Sequence, residues 1–326
     1  SNYDAAGNLL ESKQYLYVVN YNQGGTTSSG ILGGTPKYLE VATNLATTGP
    51  ATLSYWYWYN MPIEPLGYTN GSAVTYSEVV EKLQDGSYTI YDYANQDQTQ
   101  YRDGPPLATF APDPYQWKLD PTISLALDRG KLLERRVFKS NNTLLKDTKY
   151  QYDESAAQYQ EAVRIVNLVQ RQFTTGFSVP LLFSRATAYL IYTFPRFLTQ
   201  QTDIVYDING QNPVTTVESF GYNRQYRQET ADTATNSKNQ PVTMQYYHPY
   251  DNAGTIYQAM TDSNMIAPVI ESIQKTNGVQ SLLAEKNYYS PYTGIFLPDS
   301  VQIQNGSYPL QTRLTFNQYD KYGNIL

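Results

Sequence analysis

The residues of this chain that could carry acid–base chemistry are few in kind. Its 326 residues include one histidine, His248, and no cysteine, together with 29 aspartates and glutamates. A Ser-His-Asp triad would have to use His248, but Pro249 and the surrounding tyrosines indicate an imidazole that hydrogen-bonds in a turn. The absence of cysteine excludes thiolate catalysis and cysteine-based zinc sites, and a single histidine excludes a histidine-based metal site. We expect no cofactor and no metal.

Paired carboxylates could hydrolyse a glycosidic bond without histidine or cysteine. No spacing selects one pair, so the first candidates are the acids nearest the aromatic-rich part of the chain: Glu64, Glu78, Asp92 and Asp97. Scattered acids more often keep the outer face of a sheet soluble and block edge pairing. We therefore expect a protein that is not an enzyme, with a glycoside hydrolase as the remote alternative.

A dense run of aromatic residues offers binding rather than catalysis. Its rings could stack on sugars or anchor a partner protein; the run comprises Tyr55, Trp56, Tyr57, Trp58 and Tyr59. Because the chain has 33 tyrosines, the same rings could instead form cross-strand pairs that stabilise a sheet. Sheet packing is the favoured interpretation, and a carbohydrate-binding module is the alternative.

Charge and hydropathy exclude two further classes. The net charge is −6 and no basic run is present, whereas nucleic-acid binding needs positive charge to neutralise phosphates. The most apolar stretch, residues 179–198, is interrupted by prolines and arginines, so it predicts no membrane span. Asp203, Asp207 and Asn209 lie close together, but they lack the spacing of a calcium loop. The segment from Asp207 to Gly210 instead predicts turn capping.

The elements that would position these residues are strands. Runs rich in Tyr, Thr and Val alternate with polar turns such as Asp85-Gly86 and Asn277-Gly278, which predict type I′ hairpins. Helix-forming stretches are short and lie at residues 154–163 and 257–265. The sequence predicts an all-β protein: antiparallel meanders of long strands in one or two large twisted sheets, elongated, with one or two short helices.

A Tyr-Asp-x-x-Gly motif recurs along the chain. Asp caps a turn with its side chain, and Gly supplies a positive φ at no steric cost, so each copy predicts strand, tight turn, strand. Four copies have these defining residues: Tyr3, Asp4, Gly7 and Asn8; Tyr206, Asp207 and Gly210; Tyr250, Asp251 and Gly254; Tyr319, Asp320, Gly323 and Asn324.

These residues resemble the YD-repeat (RHS repeat) family of large bacterial surface and secreted proteins. Further segments resemble the region upstream of the repeats in such proteins from Bacteroidetes-type bacteria, including residues 71–80, 85–91, 129–133, 247–251 and 264–269. The resemblance implies a fragment of a scaffold at the cell surface or outside the cell.

We accordingly expect an N-terminal β-rich lobe with long loops at residues 1–150 and a YD-repeat-like antiparallel sheet region at 151–326. The leading functional hypothesis is a non-catalytic structural or interaction module. Its expected partners are adjacent repeats of the parent chain, and protein or glycan ligands are the further option.

Overall fold

The computed structural model describes residues 2–3, 9–33, 38–45, 52–58, 60, 74–110, 123–153, 157–173, 181–278 and 280–326. For residues 2–3, 9–11, 40–45, 52–57, 157, 169–173, 181–185 and 280–282 it describes the backbone alone. The chain forms two units. The first comprises Ser1–Phe197 and Val205–Pro213, and the second comprises Leu198–Ile204 and Val214–Leu326.

The first unit is built from short and long strands. Its elements are β1 (Asn2–Tyr3), β2 (Leu9–Glu11), β3 (Lys13–Leu16), β4 (Gly30–Leu32), β5 (Leu39–Leu45), β6 (Thr52–Trp58), β7 (Val74–Tyr76), β8 (Glu78–Leu83), β9 (Tyr88–Tyr93), β10 (Ala108–Phe110), β11 (Leu132–Phe138), β12 (Leu144–Tyr152), α1 (Ala157–Gln160), β13 (Val163–Phe173) and β14 (Leu181–Ile191).

The second unit continues the pattern with longer hairpins. Its elements are β15 (Leu198–Val205), β16 (Val214–Tyr222), β17 (Glu229–Thr235), β18 (Pro241–Tyr247), α2 (Thr255–Asp262), β19 (Glu271–Thr276), β20 (Gln280–Tyr292), β21 (Ile295–Asn305) and β22 (Gln311–Thr315).

One large antiparallel sheet of 13 strands dominates the fold. Its strands in the first unit follow the order β12-β11-β9-β8-β3, and those in the second follow β22-β21-β20-β19-β18-β17-β16-β15. Four smaller sheets contain β10-β14-β13, β4-β7, β5-β6 and β1-β2. Neighbours in sheet order are mostly neighbours in sequence, which is a meander. The predicted all-β antiparallel fold with short helices is confirmed.

The core of the first unit lies on one face of its strands. Val80, Tyr88, Ile90 and Phe138 are buried together. The rings of Tyr88 and Phe138 stack with centroids 4.9 Å apart. Tyr21 closes this core from a loop, with its ring edge-on to Tyr88 at 5.0 Å. Aromatic pairs thus supply packing that aliphatic side chains supply in most cores.

Two copies of the motif fold into the same tight turn, which is called the corner below. In the Asp207 copy, the N–H of Asp207 donates to the Gln211 carbonyl (2.8 Å), and the N–H of Gly210 donates to the Asp207 carbonyl (2.9 Å). Asp207 Oδ1 accepts the N–H groups of Asn209 and Gln211 at 2.9 and 2.8 Å. Gly210 has φ +75°, a left-handed conformation that glycine adopts freely.

The Asp320 copy repeats this geometry. The Asp320 N–H donates to the Asn324 carbonyl (2.9 Å), the Gly323 N–H donates to the Asp320 carbonyl (3.1 Å), and Gly323 has φ +87°. Asp320 Oδ1 accepts the N–H groups of Tyr322 and Asn324 at 2.8 and 2.9 Å. The two copies therefore share one corner, in the backbone and in the capping carboxylate.

The same backbone corner also occurs where the motif is absent. Corners that begin at Leu83, Lys139 and Asn236 have the same pair of backbone hydrogen bonds. Their left-handed residues are Gly86, Asn142 and Asn239. The type I′ prediction for Asp85-Gly86 was therefore wrong, because only Gly86 has positive φ, whereas Asn277 and Gly278 both do, at +53° and +70°. Within the described ranges, the corner is more general than the sequence motif.

The Tyr250 copy has a different structure. Residues Pro249–Asp251 form a 3-10 turn, and Asp251 Oδ2 accepts the backbone N–H of His248 at 2.9 Å. Gly254 has φ −74° and precedes α2. Proline fixes φ near the helical value, so Pro249 favours this helical turn over a hairpin. Of the Tyr3 copy, Asp4, Gly7 and Asn8 lie outside the described residues, while Tyr3 lies in β1.

Candidate functional site

Three carboxylates line up across neighbouring strands of the first unit. Glu78 of β8 lies opposite Asp92 of β9, and Asp92 lies opposite Glu134 of β11. Alternate residues of a strand share a face, so this charged row is on the same face as the core residues Val80 and Ile90. The sequence singled out Glu78 and Asp92, and the structure brings them together.

A guanidinium neutralises the middle of the row. Arg136 Nη2 lies 2.6 Å from Asp92 Oδ2, and Arg136 Nε lies 3.2 Å from Glu134 Oε2. Burial raises the pKa of Asp92 to about 6, with the charges of Glu78 and Glu134 acting in the same direction and Arg136 opposing them. Asp92 therefore holds its proton more strongly than an exposed aspartate does.

Glu78 is committed to the loop that covers this face. Glu78 is 6% exposed, and its carboxylate accepts the backbone N–H groups of Asn20 and Tyr21 at 3.0 and 3.3 Å. Asn20 precedes a 3-10 turn at Tyr21–Gln23, the segment that places the Tyr21 ring on the core. The carboxylate thus anchors the loop that closes the core.

Retaining and inverting glycosidases need two carboxyl groups that flank the bond to be cleaved. Here Glu78 accepts backbone N–H groups and Asp92 faces Arg136, so both are engaged within the protein. A polar concavity of about 450 Å³ lies elsewhere and is lined by Ser12, Gln14 and the residues from Lys82 to Gly86. Asp97 is exposed in the turn after β9, and Glu64 lies outside the described residues.

The predicted aromatic run lies mostly on β6. Tyr55, Trp56 and Tyr57 belong to this strand, whose partner is β5, and only their backbone is described. The side chain of Trp58 is described and is 75% exposed. Tyr59 lies outside the described residues. The structure therefore places one indole of this run in solvent.

A second exposed aromatic pair escaped the sequence analysis. The rings of Tyr17 and Tyr76 lie 4.3 Å apart at an angle of 32°, and the two residues are 43% and 38% exposed. They are 59 positions apart in the chain, so only the fold could bring them together. Because tyrosine is frequent throughout the sequence, no local pattern distinguished these two residues from tyrosines that pack inside the fold.

His248 is 3% exposed and contacts the main chain through both ring nitrogens. Nδ1 lies 3.1 Å from the Pro268 carbonyl oxygen, and Nε2 lies 3.0 Å from the Glu229 carbonyl oxygen. Backbone carbonyls therefore occupy the two positions at which a triad would place an acid and a serine.

An ionic hub at Asp128 was also invisible in the sequence. Asp128 is buried and accepts from Lys131 Nζ (2.6 Å), the Arg196 N–H (2.8 Å) and Gln158 Nε2 (3.1 Å). Burial disfavours its charge, but these hydrogen bonds outweigh burial and lower its pKa below the usual value. The partners lie up to 68 positions away in sequence, which no local pattern reveals.

The carboxylates considered for calcium contact other groups of the chain. Asp207 Oδ1 caps the corner described above, and Asp203 Oδ2 accepts from Gln201 Nε2 at 3.0 Å. Among the described residues, no group of three or more His, Cys, Asp or Glu is arranged to hold a metal ion. Within the same part of the chain, no helix is long and apolar enough to cross a membrane.

No family model matches this chain, and no curated protein matches it. Among solved structures, it is similar to "Crystal Structure of TcdB2-TccC3-TEV", with a TM-score of 0.26 and 10% identity over 73% of this chain and 11% of that one. It is also similar to "Crystal Structure of TcdB2-TccC3 without hypervariable C-terminal region", with a TM-score of 0.25 and 11% identity over 71% and 11%. The chain spans about a ninth of the length of these proteins.

Proposed function

We propose that this chain is a non-catalytic structural or interaction module of a large bacterial surface or secreted protein of the YD-repeat type. The observation that carries the proposal is the shared corner at Asp207 and Asp320, which combines the repeat motif with one backbone geometry. In both copies, the only carboxylate of the motif accepts backbone N–H groups of the turn. The Asp207 copy lies between the neighbouring strands β15 and β16, and the Asp320 copy closes the bridge between Tyr319 and Ile325.

The engagement of the acids supports a scaffold role. Glu78 holds a loop, Asp92 pairs with Arg136, and Asp128 joins three segments of the first unit. Each of these carboxylates contacts partners that are themselves part of the fold. A hydrolase would instead need an acid and a base directed at substrate.

Adjacent repeats are the proposed partners. β22 is the last strand of the 13-stranded sheet in the second unit, and all five of its residues are exposed. An edge strand presents unpaired N–H and C=O groups to which another strand can bond. In a repeat protein each unit buries its free surface against a neighbour, so this edge is where a further strand would pair.

Surface accessibility tests the proposal as a whole. The gene that encodes this chain would be expressed with its native flanking sequence in a bacterial host, and intact cells or medium would be probed with antibodies against residues 1–326. We expect the epitope in the medium, or on cells where external protease removes it. Retention of the epitope in the cytosol would contradict the proposed location.

A glycan-binding module is the second candidate, because Trp58 and the Tyr17–Tyr76 pair present rings to solvent. Sugars stack on exposed aromatic rings through their apolar faces. A glycan array would compare the wild type with Trp56→Ala/Trp58→Ala and with Tyr76→Ala. Binding that one variant abolishes would locate the site, and no binding by the wild type would end this candidate.

A further inference from the structure

The ring of His248 lies between two main-chain acceptors in the second unit. His248 follows β18 and is the only histidine of the chain. Its Nε2 faces the carbonyl oxygen of Glu229, the first residue of β17, and its Nδ1 faces that of Pro268, in the segment before β19. The ring therefore connects two parts of the chain that are 39 residues apart.

Both contacts require a donor on the ring. A neutral imidazole has one N–H and one nitrogen that only accepts, whereas the imidazolium has two N–H groups. In the neutral ring, one nitrogen lone pair would face a carbonyl lone pair at about 3 Å in a buried position, which is costly. We propose that His248 is held as a doubly protonated clamp that donates to both carbonyls at once.

One neighbour of the buried ring can stabilise a cation. The Tyr250 ring is stacked on the imidazole with centroids 5.4 Å apart, and Tyr226 is stacked on Tyr250 at 4.1 Å. A cation over the face of a tyrosine is stabilised by the ring quadrupole. The imidazole, Tyr250 and Tyr226 thus form one stack.

The titratable groups around the ring are acids and phenols. Asp251 Oδ2 accepts the backbone N–H of His248 at 2.9 Å, and Glu229 contributes its carbonyl to the clamp. Burial, together with Asp232 and Glu218, raises the pKa of the Glu229 carboxyl. Burial, with Asp251 and Tyr226 adding to it, raises the pKa of Tyr250 to about 12, so this phenol stays neutral. Arg227 follows Tyr226 in the turn, and residues 264–270 contribute no charged side chain.

Proton loss breaks one of the two bonds. A deprotonated ring keeps a single N–H, so either the Glu229 or the Pro268 carbonyl loses its partner. The clamp is complete at low pH and incomplete at high pH, and the stability it adds declines as pH rises. It would therefore hold the start of β17 to the segment before β19 more tightly in mildly acidic surroundings.

Nitrogen-15 NMR tests the protonation state directly, because the chain gives one histidine signal set. In the folded wild type at pH 7 we expect both ring nitrogens to carry protons, whereas in urea at the same pH most rings are neutral, since free imidazole titrates near ~6.5. A folded spectrum at pH 7 with one protonated and one unprotonated nitrogen would overturn the proposal.

Thermal unfolding of His248→Gln provides the second measurement, because a glutamine amide donates from one nitrogen only. We expect the wild type to exceed the variant in Tm by several degrees at pH 6 and by clearly less at pH 8.5. Tyr250→Phe, which keeps the stacked ring, should follow the wild-type profile. Parallel profiles for the wild type and His248→Gln would contradict the clamp, and the NMR result on the wild type stands even if the variant does not fold.

Discussion

Glu78 and Asp92 face each other across β8 and β9, yet their carboxylates have different partners. Glu78 accepts the N–H groups of Asn20 and Tyr21, and Asp92 pairs with the Arg136 guanidinium at 2.6 Å. Burial, with the charge of Glu78 acting in the same direction, raises the pKa of Asp92. Glu78 therefore holds a loop in place and Asp92 contacts the neighbouring strand β11. The fold favours the protonated form of Asp92.

Asp92 should make the protein more stable on mild acidification. Its pKa of about 6 in the folded state exceeds the unfolded value of about 3.9, so the folded state binds the proton more tightly. Stability from this group is full below the unfolded pKa and is lost as pH rises through 6. Urea unfolding at pH 5 and pH 7.5 should show Asp92→Asn losing about 1 kcal/mol less than the wild type over this interval.

Asp97→Asn is the matched control for that experiment, since Asp97 is exposed in the turn that follows β9. Its pH profile should coincide with that of the wild type. Identical profiles for Asp92→Asn and the wild type would show that the charged row does not penalise ionised Asp92.

Asp128 should show the opposite pH dependence. Its pKa is lowered in the folded state, so its stabilisation is present above the unfolded pKa and is lost as pH falls. Lys131 Nζ and Arg196 Nε lie 2.6 and 3.3 Å from the Asp128 carboxylate oxygens. At pH 7, Asp128→Asn leaves both cations without their anion, and we expect a loss of about 3 kcal/mol or more in the free energy of unfolding. Chemical denaturation would measure it.

A compensating variant separates charge from packing at this hub. Asp128→Asn/Lys131→Met removes one of the two cations that Asp128→Asn leaves unpaired, so it should recover part of the lost stability. If the double variant is less stable than Asp128→Asn alone, the cost lies in lost packing or in lost hydrogen bonds rather than in an unpaired charge.

Gly210 and Gly323 occupy equivalent places in the shared corner but have different surroundings. A Cβ on Gly210 would lie 2.9 Å from Thr143 Cγ2, whereas one on Gly323 would have its nearest neighbour at 3.6 Å. Both alanine variants incur the left-handed cost of about 1 kcal/mol, and Gly210→Ala should lose roughly 1 kcal/mol more from the clash. Equilibrium unfolding would measure the loss of stability in each variant. The double variant Gly210→Ala/Thr143→Ser, which removes Thr143 Cγ2, would show whether relief of the clash recovers the extra loss.

Asp207 should tolerate asparagine better than alanine. Asn236 forms the same corner, with its Oδ1 accepting the N–H groups of Lys238 and Gln240 at 2.9 and 3.0 Å. An amide oxygen can therefore replace the carboxylate, whereas alanine leaves two N–H groups without that acceptor. We expect a lower Tm for Asp207→Ala and little change for Asp207→Asn, measured by circular dichroism. Equal losses would show that charge, and not the acceptor, determines the corner.

Local chemistry in the sequence predicted the hairpins well. The turns predicted at Asp85-Gly86 and Asn277-Gly278 lie between β8 and β9 and between β19 and β20. Turn residues are readable because φ preferences act within a few positions. The helical prediction at 257–265 lies two to three residues later than α2, because the helix begins after Gly254 and ends before Asn264, which has φ +60°.

Long-range contacts were beyond such patterns. Asp128 bonds to Gln158 and to Arg196, which are 30 and 68 positions further along the chain. The partnership of Glu78 and Asp92 depended on strand register, which composition does not determine. Their acidity and their nearness to the aromatic run identified them as candidates, but only pairing revealed that both serve the fold.

The shared corner requires one residue with a left-handed backbone at its fourth position, and this residue is Gly or Asn in the copies described above. The first residue of the corner varies more widely, since it is Leu83, Lys139, Asp207, Asn236 or Asp320. Two chains of this kind could thus retain every bend of their path while keeping hardly any amino acids in common. Common ancestry of such chains would then be visible in the spacing of their turns rather than in their sequence identity.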